Sequence, residues 1–401
     1  MGENVTHVFI VGSKGIPAGY GGFETFVQEL VRRRKSDRIC YHVACSIDET
    51  RIPESQTIHY YAGVQCFTVP MWSIGAARAV VYDLEALKFC AYYIQREKME
   101  NAIVYILACR VGPFIRHYTA ILHRLGARVF INPDGHEWER AKWNRFIKKY
   151  WKFSERKMVQ AADFVVCDSE NIERYIRESY GSWNPRTCFI PYGADIPGNG
   201  KKEEEDRQRA LEWLKTAGAG PGEYYLVVGR FVPENNYETM IREFMASRTG
   251  RKLLLITNLE KNDFYRSLAE STGFEKDSRI CFPGTLYDSG ALTQVRGMAC
   301  AYLHGHAVGG TNPSLLEAMG STNVNLLYDV GFNREVGGEG ALYWNKEEGN
   351  LAGLIDSVDR MNTAQRRALG EKAKEIIRTR YTWESIVERY EELFLRPVCE
   401  Q

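Results

Sequence analysis

The chain has 401 residues, a formal charge of +1 and 44% hydrophobic residues, which is too much material for one ordinary core and enough for two compact domains. Near-neutral balance excludes a dedicated nucleic-acid binder, whose affinity needs a basic excess. Ten cysteines without a C-x-x-C pair point to reduced thiols, with neither a disulfide framework nor a zinc site expected.

A strand is predicted over His7–Val11, followed by a glycine-rich loop and a helix in which Phe23, Phe26, Val27, Leu30 and Val31 recur on one face at period 3.6. Further apolar runs at Val104–Leu107, Val129–Ile131 and Phe164–Cys167 read as buried parallel strands. The segment 191–208 combines Pro, Gly and a charge run without apolar period, which places a hinge near residues 193–205. A second strand–loop–helix unit opens at Tyr225–Val228, with Tyr237, Met240, Ile241, Phe244 and Met245 as the apolar face of its helix. Strands at Leu253–Thr257, Ala301–Leu303 and Val324–Leu327 complete that half. Two such openings half a chain apart imply an α/β fold of two doubly wound Rossmann-like domains in tandem.

Helix N-termini present unpaired N–H groups and partial positive charge, so glycine loops feeding two helices suit a phosphorylated ligand. The first loop contains neither G-x-G-x-x-G after Val11 nor G-K-[ST], which disfavours a bound dinucleotide or a P-loop nucleotide. In "YLHGHAVGGTNPSLLEAM", residues 302–319, a helix is expected to start near Asn312 or Pro313, with Asn312 as its cap. Glu317 lies one turn further, where a carboxylate can accept a hydrogen bond from a ribose hydroxyl. His304 and His306 form an H-x-H without a matching carboxylate cluster, so no metal is expected there.

The stretch "INPDGHEWERAKW", residues 131–143, follows a strand and sets Asp134, His136, Glu137 and Arg140 at the edge where open α/β sheets place ligands. They are candidates for ligand binding or proton transfer, Asp134 before Glu137. Asp168 ends a strand, where it or Ser169 can cap the next helix, and Tyr192 sits at the hinge. Residues 139–157 hold eight Lys/Arg together with Trp143, Phe146, Tyr150, Trp151 and Phe153. Basic side chains interleaved with aromatics are the footprint of a helix lying on anionic lipid.

"GYGGFE", "GRFVPENN", "GGTNPSLLEAM" and "RYTWESIVERYEELF" together resemble a family 4 glycosyltransferase of the GT-B architecture. "GSKGIPAGYGGFETFV" with "NPDGHEWERAKW" is similar to bacterial rhamnosyltransferases of the β-1,4 type that act in capsule and cell-wall polysaccharide assembly. The resemblance implies two Rossmann-like domains facing a cleft: 1–195 on the acceptor and membrane side, 196–380 on the donor side, and a terminal helix, 381–401, packing back on the first.

It further implies that Gly21 and Gly22 approach the donor diphosphate, that Arg230 pairs with it, and that Glu317 binds the nucleotide sugar. Asn235, Gly310, Thr311 and Asn312 join this donor set, while Tyr20, Glu24, His136, Arg140, Asp168 and Tyr192 form the acceptor set. Asp134, Glu137 and Arg230 are the catalytic candidates. Asn235 stands where the family commonly has Lys, and Gly309 where it has the first of two glutamates separated by seven residues.

The implied activity is retaining transfer of L-rhamnose from dTDP-β-L-rhamnose to an undecaprenyl-diphosphate-linked sugar, at the inner face of the plasma membrane, without a metal or other cofactor. A GT-B sugar-nucleotide epimerase and an inactive sugar-nucleotide-binding protein are the competing expectations. Nucleotide diphosphate release that requires acceptor separates transfer from both.

Overall fold

The computed structural model describes residues 5–19, 21–48, 57–140, 143–198 and 200–397. The chain divides into two compact units: residues through Tyr192 together with those from Trp383 onward, and Gly193–Thr382.

The first unit alternates strands and helices from β1 (Thr6–Val11), α1 (Gly22–Arg32) and β2 (Ile39–Asp48) through the hairpin β3 (Ile58–Tyr61) and β4 (Val64–Met71). It continues with α2 (Arg78–Glu97), β5 (Ala102–Leu107), α3 (Gly112–Arg124), β6 (Arg128–Asn132), α4 (Arg145–Ala161), β7 (Phe164–Cys167), α5 (Glu170–Tyr180) and β8 (Thr187–Phe189). The sheet order is β3-β4-β2-β1-β5-β6-β7-β8, parallel except for the antiparallel pair β3–β4. Helices cover both faces, and every residue of β5 is buried, which is why its sequence is an unbroken apolar run without alternation.

The C-terminal helix, Trp383–Leu395, belongs to this unit. Phe394 packs against the rings of Tyr41, Tyr105 and Phe130, and the hydroxyls of Tyr105 and Tyr390 lie 3.1 Å apart. The carboxylate of Glu391 accepts from the backbone N–H groups of Lys35 and Ser36 at 2.7 and 3.1 Å. Burial of five aromatic rings and capture of two loop amides fix the helix to the first sheet.

The second unit begins with α6 (Lys201–Thr216), then β9 (Tyr224–Val228), α7 (Tyr237–Ala246), β10 (Lys252–Ile256), α8 (Asp263–Thr272), β11 (Ile280–Cys281) and α9 (Ser289–Met298). β12 (Ala301–His304), α10 (Pro313–Ser321), β13 (Asn325–Tyr328), α11 (Gly331–Gly337), β14 (Leu342–Trp344), α12 (Asn350–Arg360) and α13 (Thr363–Arg380) follow. Its sheet, β11-β10-β9-β12-β13-β14, is parallel throughout.

Two expectations are corrected here. The charge run taken as part of a hinge is helical from Lys201, and its buried stripe, Asp206, Ala210 and Leu214, lies mostly beyond the polar stretch on which the hinge was based. The basic aromatic segment becomes a regular helix only at Arg145, where the Asn144 side chain accepts from Phe146 and Ile147 N–H at 3.0 Å each.

Candidate functional site

Each sheet reverses its strand order once, between β1 and β5 in the first unit and between β9 and β12 in the second. Ligands of open α/β sheets bind outside the carboxyl ends of the strands at such a point. The loops found there are 12–19 and 108–111 in the first unit, and 229–236 and 305–312 in the second.

In the first unit the glycine loop leaves β1 over the end of β5. Gly12 has φ +102°, and a Cβ there would lie 2.2 Å from the carbonyl oxygen of Leu107, so only glycine fits. Arg110, just past β5, donates from Nη1 to Gly12 O at 2.9 Å, Leu107 O at 3.3 Å and Asp83 Oδ2 at 3.1 Å. Asp83 is fully buried on α2. Burial raises its carboxyl pKa to about 6 against the opposing pull of Arg110, while Asp83, Asp134 and Glu137 together hold the partly buried Arg110 guanidinium charged against its own desolvation. The neighbouring Tyr82 hydroxyl donates to Ser13 O at 2.8 Å, so α2 braces the loop from below.

The predicted residues of this unit separate into two groups. Asp134 has a left-handed backbone, φ 65°, and its N–H donates to the side chain of the buried Asn132 at 2.8 Å, a turn that Asp tolerates. Asp168 and Tyr192 are both buried and share a hydrogen bond. Burial first, then the charges of Asp168 and Asp134, push the Tyr192 hydroxyl well above its ordinary pKa. The helix cap falls to Ser169, whose hydroxyl accepts from Asn171 N–H. Asp134, Asp168, Tyr192 and Arg110 therefore gather at the carboxyl end of the first sheet.

The second group is engaged in holding the loops. Glu137 accepts from Trp143 Nε1 at 3.0 Å and pairs with Arg140 Nε. His136 sets its ring edge-on to Tyr175 with centroids 4.3 Å apart, and its Nδ1 lies 3.6 Å from Glu139. Glu24 folds back to accept from Lys14 N–H at 2.8 Å, next to Gly21, the N-cap of α1, and Gly22, its first residue. Tyr20 lies outside the described residues. Lys152 turns inward to Glu155 and Tyr175.

In the second unit the two switch-point loops interlock. Ala307 N–H donates to Glu234 O at 3.0 Å, and Asn236 Nδ2 to Gly305 O at 2.8 Å. A Cβ on Gly305 would come within 2.2 Å of Asn235 O. Asn235, a donor candidate, is buried with its amide donating to Arg230 O at 2.8 Å. The side chain of Arg230 is exposed and enters no hydrogen bond or ion pair among the described residues.

Asn312 caps α10, its Oδ1 accepting from Ser314 and Leu315 N–H at 2.9 and 3.3 Å. Gly310 and the buried Thr311 lead into that cap. Glu317, partly exposed, meets Nη2 of the buried Arg296 at 2.6 Å. His304 stacks on His306 at 4.3 Å, and burial, reinforced by His306, keeps it neutral by lowering its pKa well below the ordinary value. A free guanidinium, a capped helix start and an oriented carboxylate at one strand switch point can receive a diphosphate and a hydroxylated ring.

Arg110, Asp83 and Arg296 were absent from the sequence-based candidates. Arg110 carried a legible signal, a cation closing the apolar run 102–109. Asp83 and Arg296 lie inside helices and declare themselves only through their partners.

Residues 5–195 match a family described as a domain of unknown function, DUF1972. No curated protein matches the chain. Among solved structures it is similar to the sucrose-phosphate synthase of Thermosynechococcus elongatus, at 15% identity and TM-score 0.77 over 97% of this chain and 98% of that one. A structure described as trehalose-6-phosphate from E. coli bound with UDP-2-fluoro glucose matches at 12% identity and TM-score 0.71, over 98% and 100%. HepE of Anabaena in complex with UDP and glucose matches at 14% and 0.68, over 97% and 99%. The shared feature at these identities is the fold, two parallel-sheet Rossmann-like domains of the GT-B class.

Proposed function

We propose that the chain is a glycosyltransferase that takes a sugar from a nucleoside-diphosphate donor held on its second unit. The observation that carries this reading is the β9/β12 switch point, where an exposed Arg230 without an ion pair accompanies the Asn312-capped start of α10 and Glu317. Arg230 and the backbone of Gly309–Asn312 neutralise the diphosphate as its charge grows, and Glu317 accepts from hydroxyls of the nucleotide sugar. The neighbours solved with UDP or a UDP-sugar support a pyrimidine nucleotide.

The finer reading rests on the sequence resemblance: retaining transfer of L-rhamnose from dTDP-β-L-rhamnose to an undecaprenyl-diphosphate-linked sugar, with no metal or other cofactor in the chemistry. Asp134 precedes Glu137 as the acceptor-side catalytic candidate. Lipid-linked acceptor calls for a protein that docks on the inner membrane face. No helix among the described residues is long and apolar enough to cross a membrane, so docking falls to a surface.

The outward stripe of α4 suits that role, with Phe146, Lys149, Phe153 and Arg156 exposed at spacings of 3, 4 and 3 residues. The test is a thermal-shift panel of dTDP, UDP and GDP, followed by donor turnover with and without lipid-linked acceptor. Stabilisation by a single nucleoside diphosphate and acceptor-dependent release of it are expected. Release without acceptor would favour an epimerase or hydrolase.

A further inference from the structure

The strand order of the first unit brings three metal-competent side chains to one face of its sheet. His59 on β3 and Cys66 on β4 are direct partners in the antiparallel register. Val43 on β2 is the parallel partner of Cys66, so Cys45, two residues further, projects from the same face on the diagonal. One nitrogen of His59 and the two sulfurs lie within 4.8 Å of one another. Zinc bonds of about 2.3 Å to sulfur and 2.0 Å to nitrogen set tetrahedral ligand atoms about 3.5–3.8 Å apart, so closing the three atoms on one ion asks for movements of about 1 Å.

Both sulfurs are buried and His59 is exposed, which leaves the histidine side as the entry path. The cluster also touches the glycine loop: the Cys45 thiol donates to Ile16 O at 3.8 Å, and a Cβ on Gly15 would lie 2.6 Å from Cys45 Sγ.

We propose that Cys45, Cys66 and His59 form a zinc site, with water as fourth ligand, that ties β2, β3 and β4 to the underside of the glycine loop. Two thiolates and an imidazole select zinc over magnesium, calcium or manganese, whose preferred ligands are oxygens. Binding releases the two thiol protons. A second trio, His7, Cys40 and His42, is similarly close. Its His42 is already committed at both ring nitrogens, Nε2 to His7 Nδ1 at 3.0 Å and Nδ1 to Gln65.

Titration of zinc into the metal-free full chain tests the assignment, with cobalt(II) as a spectroscopic substitute. One equivalent is expected to bind, and cobalt is expected to give a thiolate-to-metal charge-transfer band. Cys45→Ser and Cys66→Ser should remove the band, and Cys40→Ser should leave it intact. His59→Gln, an exposed edge-strand change that leaves folding intact, should weaken zinc at least about tenfold, or 1.4 kcal/mol. The proposal falls if zinc binds more weakly than on the order of 10 µM, about 7 kcal/mol, if His59→Gln binds as tightly as wild type, or if the band follows Cys40 in place of Cys45.

Discussion

Arg296 on α9 holds the carboxylate of Glu317 on α10 at 2.6 Å, and the two partners differ sharply in exposure: the arginine side chain is 3% accessible, the glutamate 38%. Removing either partner therefore has unequal consequences. Glu317→Ala takes the carboxylate from a buried guanidinium that keeps only a neutral partner, Ser314 Oγ at 3.2 Å, among the described residues, at a cost of about 3 kcal/mol, whereas Arg296→Met leaves a carboxylate that water can reach. Urea denaturation should rank Glu317→Ala as the less stable variant. Equal or reversed stabilities would show that the pair is not what positions Glu317. Glu317→Gln keeps an acceptor for Arg296, and it should retain most stability while losing most of the nucleotide-induced thermal shift.

Arg230 presents the opposite case. Exposed and without an ion pair among the described residues, it contributes little to folding, and Arg230→Ala should change stability by under about 0.5 kcal/mol. Loss of a transition-state contact to the leaving diphosphate should cost at least about a hundredfold in turnover, near 2.7 kcal/mol. Activity within about threefold of wild type, roughly 0.6 kcal/mol, would remove Arg230 from the diphosphate site.

The parts of this site that are local in sequence are legible there. Strand, glycine loop and helix follow one another at residues 6–32 and 224–246, and the Asn312 cap with Pro313 in the first turn is a pattern of adjacent residues. Long-range pairings leave no such pattern. Asp83 precedes its partner Arg110 by 27 residues, and Arg296 meets Glu317 only because α9 and α10 pack around β12. Absence of C-x-x-C discouraged a zinc site, yet the β2–β4 register sets Cys45 and Cys66 on one face. The hinge was overextended because the apolar residues that bury α6, Ala210 and Leu214, lie past the charge run. Engagement of Glu24, Glu137 and Asn235 inside their own loops was equally invisible, since acid and amide residues read alike whether they face a ligand or a backbone N–H.

The α4 stripe makes a membrane prediction that discriminates among its lysines. Lys152 is half-buried and turned toward Glu155 and the rings of Trp138 and Tyr175, so its charge is engaged within the protein, whereas Lys149 and Arg156 are exposed beside Phe146 and Phe153. Each basic residue near an anionic surface contributes about 1 kcal/mol. Lys149→Glu combined with Phe153→Ser should weaken sedimentation with phosphatidylglycerol vesicles at least about tenfold, a loss near 1.4 kcal/mol. Binding equal to wild type would remove α4 from any membrane-facing role.

His42 makes the first unit sensitive to acid. Its ring stacks on Phe9, and burial, partly opposed by the Gln65 hydrogen bond and assisted by His7, lowers its pKa to about 4. The unfolded chain, with an ordinary histidine near 6.5, binds a proton between these values that the folded state refuses. Stability from this group is therefore complete above about pH 7 and is lost as pH falls toward 4, by about 2 kcal/mol between pH 7 and pH 5. Asp83, whose pKa is raised to about 6, acts with the opposite sign over part of the range, so the comparison must be with a variant rather than between pH values alone. His42→Gln removes the histidine term and leaves Asp83 in place. Chemical denaturation at pH 7 and pH 5 should give wild type an extra loss of about 2 kcal/mol relative to the variant. Identical losses in the two proteins would mean that His42 takes up its proton in the folded state as readily as in the unfolded one.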